Sequence, residues 1–363
     1  MNIRAKSEIS LNAIKHNALS IMSTLKGACQ MLAVVKADAY GHGAVPVAKA
    51  LYDIGVRYFA VATAEEGAEL RKNGLEGNIL VLGKTPIEQR SVLTENDLCQ
   101  ACDSVEYAVS IVKDGLPKIH IKVDTGMSRL GFYCHDKSFA DACVKQIVPL
   151  YRIPRLQVEG IFTHFAVADK DEAFTYKQFN AFKAVTDKLD SLGLKTGLRH
   201  CCNSAATLRF PNMHLDMVRQ GIGLYGLERS VPEFPFIPAM TVVARIAAVG
   251  ELEAGDTVSY GRTYKTDKPL RRAVISFGYA DGMPRLLSNR YSVTVNGKKA
   301  PILGRVCMDM FMVDVSDIEC KEGDEAIIFG KDGEVSQMAD IIGTINYEIV
   351  CGIARRVPRI YTD

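Results

Sequence analysis

The sequence lacks the long apolar runs, the charge imbalance and the leader segment that mark several large protein classes. No apolar run approaches the roughly 18 residues that a membrane-spanning helix needs, so we expect no membrane contact. Lysine and arginine number 44 against 42 aspartate and glutamate, and no arginine-rich block occurs. Nucleic-acid binding therefore has no electrostatic basis. The start of the chain, MNIRAKSEIS, contains no apolar segment typical of a secretory signal, which predicts a cytoplasmic protein.

The ten cysteines do not form a metal-site pattern. Cys99 and Cys102 make a single CxxC pair, and Cys201 and Cys202 are adjacent. A zinc site needs a second pair, or histidines at ligand spacing, so we expect reduced thiols and no metal. No GxGxxG follows the first predicted strand, which leaves a Rossmann dinucleotide site unsupported.

Short apolar strands alternate with helical patterns over about the first 235 residues, which predicts an α/β fold. We expect strands at 31–35, 58–62, 78–82, 118–123, 157–163, 197–202 and 217–220, with an ambiguous eighth near 98–102. The helical patterns lie at 10–26, 44–54, 64–73, 104–113, 136–148, 172–192 and 204–209. Repeated βα alternation of this length favours an N-terminal (β/α)8 barrel of the TIM type.

The pattern changes after VPEFPFIP, a proline-rich linker at Val231–Pro238. Strand-like runs follow at 240–249, 272–277, 291–295, 311–315 and 325–329, and Asn296-Gly297 is a strong hairpin signal. The sequence therefore predicts two domains, a barrel over 1–235 and a C-terminal, mostly β domain over 236–363.

The segment MLAVVKADAYGHG, Met31–Gly43, places a lysine directly after a buried strand. A lysine at the rim of an apolar core loses hydration, which favours its neutral, nucleophilic amine. Neutral amines form Schiff bases with carbonyls, including the aldehyde of pyridoxal 5′-phosphate (PLP). The alternative is that Lys36 simply extends its amine to water from the end of the strand.

Other polar and glycine residues also follow predicted strands, and the carboxyl ends of barrel strands are where chemistry gathers. Taken singly each has a structural explanation, such as a core histidine, the partner of a carboxylate or a helix cap. A hydroxyl and backbone amides at helix starts also favour binding of a phosphate. The residues concerned are Lys36, Arg129, His164, Asn203, Ser204, Arg219, Gly221 and Ile222.

AVVKADAYGHG, Ala33–Gly43, resembles the cofactor-lysine signature of alanine racemases. Eight further segments resemble that family in the same order along nearly the whole chain. They are IKVDTGMSRLGF, GIFTHFAVAD, HCCNSAA, VRQGIGLYG, VSYGRTY, GYADGMPR, GRVCMDMFMVDV and NYEIVCGIARRVPRIY. The departures, Cys201, Cys202 and Gln220, do not touch an expected catalytic role.

The resemblance implies a PLP-dependent racemase that interconverts L-alanine and D-alanine by two-base proton transfer at Cα. It implies a homodimer with shared active sites, which supplies D-alanine for the peptidoglycan of the cell wall. Lys36 is the base on one face of the substrate, and Tyr260 from a second subunit is the base on the other. His164, linked to Arg219, assists Tyr260, and Arg219 faces the pyridine nitrogen of the cofactor.

The remaining roles are implied in the same way. Cofactor contacts fall to Tyr40, Arg129, Asn203, Ser204, Gly221, Ile222 and Tyr347, of which Tyr40, Ser204 and Tyr347 hold the phosphate. Substrate contacts fall to Arg129, Tyr279, Met308 and Asp309. Related enzymes often carry a carbamylated lysine at the position of Lys122; a lysine paired with a carboxylate is the alternative.

Four other functions remain open from the sequence. A serine or broad-specificity racemase of the same architecture would share all of these motifs. A decarboxylase would bring a glycine-rich phosphate loop and a reactive cysteine, which we do not find. A non-catalytic PLP-binding protein would be a lone barrel, and a sugar- or metal-binding barrel would bind no PLP.

Overall fold

The computed structural model describes residues 3–115, 117–330 and 334–363, so Met1 and Asn2 of the N-terminal segment lie outside it. Its contacts divide into two compact units. The barrel unit contains the described residues of Ile14–Ala39 and Ala44–Phe236. The C-terminal unit contains those of Ile237–Asp363, Tyr40–Gly43 and the chain up to Ala13. Relative to the predicted division after residue 235, two short N-terminal segments are grouped with the later residues.

The barrel unit contains the predicted eight-stranded parallel barrel. Each strand pairs in parallel with the next, and the eighth pairs with the first to close the barrel. The ambiguous strand is present as the fourth, and every boundary falls within two residues of its prediction. In chain order the strands are Gln30–Val34, Tyr58–Val61, Asn78–Val81, Cys99–Cys102, Lys118–Asp124, Gln157–Phe162, Leu198–His200 and Met217–Gln220.

The helices of the barrel unit follow the strands closely, and side-chain caps fix where several begin. Thr63, Ser104, Asp171 and Asn203 each accept the amide N–H three residues further on. The predicted helix at 10–26 ends early, at Met22, because the Ser23 and Thr24 hydroxyls donate to the carbonyls of Ser20 and Ile21. The other helices are Ala44–Asp53, Ala64–Lys72, Ser91–Glu95, Val105–Ile111, Ala140–Ile147, Glu172–Ser191 and Ser204–Arg209.

The C-terminal unit is built on six antiparallel strands that also close on themselves. Asn296 and Gly297 both have positive φ, 45° and 79°, as the predicted two-residue hairpin requires. The helices are Glu334–Ile342 and Asn346–Cys351. The six strands are Met240–Leu252, Leu270–Ile275, Ser292–Val295, Lys298–Leu303, Phe311–Asp314 and Glu325–Phe329.

Two strands from the ends of the chain extend this sheet. Ala5–Ser10 runs antiparallel to residues 240–244, and Arg359–Thr362 runs parallel to Ala5–Ser10. Neither strand was predicted from the sequence, because both are short and pair only over long separations. Within the described ranges, no helix combines the length and hydrophobicity that crossing a bilayer requires.

Candidate active site

Lys36 follows the first barrel strand and opens a turn of left-handed helix. Ala37, Asp38 and Ala39 all have φ near 51–52° and ψ near 49–50°, and Tyr40 has φ of 54°. Residues with a Cβ avoid this region, because the conformation costs roughly 1–2 kcal/mol for each of them. The sequence predicted only a loop here. The four consecutive residues instead form a strained support for a half-buried lysine.

Two carboxylates hold the turn in place. Glu66 accepts hydrogen bonds from the amides of Ala37 and Ala62, both at 2.7 Å, so it connects the turn to the end of the second barrel strand. Asp38 accepts the amide of Ala44 at 2.7 Å, at the start of the next helix. Hydrogen bonds to charged acceptors are the stronger class, and they offset part of the conformational cost.

The glycines and the tyrosine that follow lie in the C-terminal unit. A Cβ on Gly41 would overlap the Val350 carbonyl oxygen, and one on Gly43 would overlap the Tyr361 hydroxyl. The φ angles of 80° and 94° also disfavour a larger residue at both positions. The rings of Tyr40 and Tyr347 lie 5.9 Å apart between centroids. Burial raises the pKa of Tyr40 above its ordinary value, which keeps its phenol protonated and able to donate.

Arg219, on the eighth barrel strand, is a buried cation with neutral partners. Its guanidinium donates to His200 Nδ1 at 2.9 Å, to His164 Nδ1 at 3.2 Å and to the carbonyls of Thr163 and Cys201 at 2.8 and 3.0 Å. No carboxylate among the described residues pairs with it. Burial lowers the pKa of Arg219 to about 10, which leaves it cationic at neutral pH.

His164 follows the sixth barrel strand and shares the positive environment of Arg219. Burial first, and then Arg219, Arg129, Lys122 and Lys36, hold the pKa of His164 well below its ordinary value. The ring is therefore neutral near pH 7. Because arginine has no acceptor, His164 Nδ1 must be the unprotonated nitrogen, and Nε2 carries the proton.

Arg129 lies on an exposed loop whose shape is set by Asp124. The Asp124 carboxylate accepts the amides of Gly126, Met127 and Ser128, each at 3.0 Å. Gly131 has φ of 128°, and a Cβ there would lie 2.7 Å from the Asp124 amide nitrogen. Asp124 and Gly131 of the DTGMSRLG motif thus serve to fix the backbone conformation of this loop.

Lys122 is 5% exposed on the fifth barrel strand, and no carboxylate or other hydrogen-bond acceptor in the described part of the chain contacts its amine. Its Nζ lies 5.4 Å from the centroid of the Phe162 ring. Burial, and then Arg129 and Arg219, lower the pKa of Lys122 to about 8. A carboxylate-paired lysine was one of two expectations for this position, and the structure contains no such contact.

Ser204 and Gly221 lie close together at the ends of the last two barrel strands. Ser204 is 4% exposed, and its hydroxyl oxygen accepts the amides of Gly221 and Gly223 at 3.1 and 3.3 Å. The hydroxyl proton has no acceptor among the residues that the structure describes. It remains available to an anion, whereas the Gly221 amide is already directed at Ser204. Asn203 is occupied as the cap of the helix that Ser204 begins.

Tyr260 lies in the C-terminal unit, on a hairpin formed by Thr257–Val258 and Tyr264–Lys265. Tyr260 is 69% exposed, which is a high value for an aromatic residue. The turn is well fixed, since the Ser259 hydroxyl donates to the Arg305 carbonyl at 2.6 Å and Arg262 Nε donates to Thr257 at 3.0 Å. A rigid turn therefore presents an exposed phenol.

Backbone hydrogen bonds join the segment of Tyr279 to the segment of Met308 in the same unit. The amides of Tyr279 and Ala280 donate to the carbonyls of Cys307 and Met308, both at 3.0 Å. The Met308 amide has no acceptor among the described residues. Asp309 accepts Arg356 Nη2 at 2.7 Å, so its carboxylate is engaged in an ion pair.

Three residues that support the candidate site were not identified from the sequence. Glu66 supports the turn after Lys36, and His120 and His200 extend the hydrogen bonds of Arg219 into the barrel. Alternation in KIHIKVD, the fifth strand, is a signal that identifies His120, because residues 120, 122 and 124 share one face of the strand. No comparable local signal marks Glu66.

Comparison with known proteins matches both halves of the chain to one family. A family model described as alanine racemase, N-terminal domain, matches residues 9–229, and one described as alanine racemase, C-terminal domain, matches residues 239–361. The alanine racemase of Halothermothrix orenii is 42% identical over 371 residues, covering 98% of this chain and 96% of the relative. That of Clostridium perfringens is 41% identical over 370 residues, covering 98% and 94%.

Solved structures are similar over the full length. The alanine racemase of Clostridium difficile 630 has a TM-score of 0.92 and 39% identity, covering 99% of this chain and 96% of that one. The enzyme from Bacillus anthracis, solved with bound L-Ala-P, has a TM-score of 0.90 and 35% identity, covering 99% and 95%. Both matched domains and the full-length relatives show that this chain belongs to the alanine racemase family.

Proposed function

We propose that the protein is a PLP-dependent racemase that interconverts L-alanine and D-alanine. The observation that carries the proposal is the placement of Lys36 after the first barrel strand, which pairs with the strand that holds Arg219. His164 and Ser204 follow other strands at the same end of the barrel. The full-length relatives named alanine racemase support the choice of substrate.

The chemistry of the residues fits a phosphorylated aldehyde. The buried Ser204 hydroxyl has a proton without an acceptor among the described residues, which suits a phosphate oxygen. Tyr40 and Tyr347 are proposed as further hydrogen-bond donors to the phosphate. Lys36 is proposed as the amine to which the aldehyde carbon of the cofactor would bind. When bound, PLP supplies an aldehyde and a ring that accepts the electron pair left at the substrate Cα.

Two bases on opposite faces then exchange the Cα proton. We assign one face to Lys36 and the other to Tyr260 of the partner subunit. A phenol acts as a base only when its phenolate is stabilised. The Nε2–H of neutral His164, polarised by the guanidinium on Nδ1, is the proposed donor to that phenolate.

Arg219 is assigned to the pyridine nitrogen of the cofactor. A guanidinium donates a hydrogen bond but does not surrender its proton there. With PLP bound, Arg219 would leave the pyridine nitrogen unprotonated, which would limit electron withdrawal by the ring and disfavour transamination. Arg219→Glu is expected to increase the rate of half-transamination, and an unchanged rate would contradict this assignment.

The substrate carboxylate is assigned to Arg129 and the Met308 amide, which has no acceptor among the described residues. Tyr279 and Tyr347 are assigned to restrict the side-chain pocket to a methyl group. Asp309 holds Arg356, so we propose that its contribution to substrate binding is indirect.

A homodimer that shares its active sites is supported by the exposure of the C-terminal unit. Tyr260, Tyr279, Leu286 and Met308 are 69%, 44%, 64% and 52% exposed. Exposed aromatic and apolar side chains in this number are typical of a surface that a second protein covers. The cytoplasmic location and the supply of D-alanine for peptidoglycan stay predictions.

Chiral product analysis tests the proposal. The purified, PLP-loaded protein is incubated with L-alanine, L-serine and larger L-amino acids, and the D-enantiomers are measured. We expect D-alanine to dominate and Tyr260→Phe to abolish its formation. Equal rates with L-serine would favour the broad-specificity racemase, and no D-product with any substrate would exclude racemisation. Restored growth of a bacterium that requires D-alanine would support the role in peptidoglycan synthesis.

A further inference from the structure

Four side chains form a continuous hydrogen-bonded series inside the barrel unit. His120 Nδ1 lies 2.8 Å from His200 Nε2, and His200 Nδ1 lies 2.9 Å from Arg219 Nη1. The guanidinium continues the series to His164 Nδ1 at 3.2 Å. Only Arg219 and His164 have roles in the proposed mechanism, so His120 and His200 need an explanation.

The direction of each hydrogen bond in the series is fixed, because donation runs outward from Arg219 to His164 on one side and to His200 on the other. Arginine only donates, so His200 Nδ1 must accept, and neutral His200 carries its proton on Nε2. That proton is donated to His120 Nδ1, which makes His120 an acceptor there and leaves its own proton on Nε2. One arginine thus fixes the tautomers of both histidines.

Burial keeps these rings neutral and in place. Burial and Arg219 lower the pKa of His120 to about 3 and hold that of His200 well below its ordinary value. The His200 ring stacks on Phe162 at 4.8 Å with an interplanar angle of 3°. The His120 ring covers its strand partner Gly160, where a Cβ would lie 2.5 Å from Nδ1 and Cε1.

The outer end of the series opens on a cavity. His120 lines a space of about 270 Å³ with Tyr58, Asn78, Cys99 and Glu159, most of which begin barrel strands. The series therefore begins at the amino end of the barrel and reaches Arg219 and His164 at the opposite end. His120 forms no hydrogen bond with Glu159 in the described residues.

We propose that His120 is a positioning residue for Arg219, acting through His200. By accepting the His200 Nε2 proton, it holds the His200 ring so that Nδ1 faces the guanidinium. Without that acceptor a buried N–H is left unpaired, and the ring gains by rotating toward another partner. Rotation of the His200 ring removes one hydrogen-bond acceptor of Arg219. The guanidinium can then move away from the orientation in which it would face the cofactor ring. The kinetic consequence rests on the proposed function, but the tautomers do not.

Four variants test the role in kinetics. His120→Leu removes the acceptor, and His120→Asn restores an oxygen near the position of Nδ1. Gly160→Ala displaces the ring while every hydrogen-bonding side chain is kept. We expect kcat to fall about tenfold in His120→Leu and in Gly160→Ala, with recovery in His120→Asn. Glu159→Gln, which lines the same cavity without joining the series, is the matched control and should retain the wild-type kcat.

Nitrogen NMR of histidine-labelled protein without PLP gives the second measurement. His120 and His200 should both be neutral with the proton on Nε2, and the His200 signal should broaden or change tautomer in His120→Leu and Gly160→Ala. A wild-type His200 with its proton on Nδ1 would overturn the proposal. So would a loss of kcat that His120→Asn does not restore, since that indicates packing alone. Absence of racemisation in the wild type, with the tautomers as expected, would instead contradict the proposed function.

Discussion

Removing the Glu66 carboxylate should destabilise the left-handed turn that carries Lys36. Glu66 accepts two amides at 2.7 Å, one from Ala37 inside the turn and one from Ala62 on the neighbouring strand end. In Glu66→Ala both amides lose their charged acceptor. The turn must then bear its unfavourable backbone conformation with only Asp38 and the local backbone to hold it.

The expected magnitude follows from these two bonds. A hydrogen bond to a charged group contributes about 1.5–3 kcal/mol, and two give an upper bound of about 3–6 kcal/mol. Glu66 is only partly buried, and water replaces some of the loss, so we expect the free energy of unfolding to fall by about 2–3 kcal/mol. We also expect weaker retention of PLP, because Lys36 begins the turn.

Glu65 provides a matched control. It lies next to Glu66 on the same helix, is exposed, and makes no hydrogen bond with the turn in the described residues. Denaturant unfolding of Glu66→Ala and Glu65→Ala, with absorbance titration of PLP into each, separates the support of the turn from the loss of one surface charge. Equal stability and equal PLP retention in the two variants would refute the reasoning.

Three further predictions concern the subunits, Lys122 and the loop of Tyr279. Equal amounts of Lys36→Ala and Tyr260→Phe, inactive alone, should regain about a quarter of wild-type activity after subunit exchange, because half of the dimers carry one intact shared site. Mixtures that stay inactive would place both bases in one subunit. In buffer free of carbon dioxide, the pKa of Lys122 is about 8 in the folded protein and 10.5 in the unfolded chain. Between pH 8 and pH 10.5 the unfolded chain therefore binds more protons than the folded protein does. The unfolding free energy should therefore rise with pH there, and Lys122→Met should be more stable than wild type by roughly 3 kcal/mol at pH 7, with the gap closing toward pH 10. Native mass spectrometry with bicarbonate should show one added carbon dioxide on wild type and none on Lys122→Met. The Asp281 carboxylate is buried and accepts hydrogen bonds from Arg4, from Arg356 Nε at 2.7 Å and from the Gly278 amide at 2.8 Å. Asp281→Asn should therefore lower the unfolding midpoint more than Asp309→Asn does. A larger effect of Asp309→Asn would contradict that ordering.

Most of the barrel strands were predictable because they lie in short, mainly apolar segments between helical patterns. Burial on both faces makes such runs nearly continuous in apolar residues, and this local signal survives without knowledge of the fold. The residues after the strands were predictable for the same reason, since strand ends fix which side chains meet. Cys99–Cys102 was ambiguous because the strand has only four residues, one of them a buried glutamine.

The left-handed turn was not predictable from its residues. Alanine and aspartate carry no signal for four consecutive positive φ angles, and the conformation is held by Glu66, distant in sequence. Gly41 and Gly43 were visible as turn residues, but their close approach to Val350 and Tyr361 depends on contacts across some three hundred positions. The roles of such residues are set by tertiary packing, which local patterns do not contain.

The pairing of Ala5–Ser10 with residues 240–244 and 359–362 has a consequence for synthesis. Ala5–Ser10 leaves the ribosome well before these partners, which follow only after more than two hundred further residues have been translated. At about 5–20 residues per second the wait lasts many seconds. During that time the edge of the strand is unpaired, and an unpaired edge can pair wrongly with another chain.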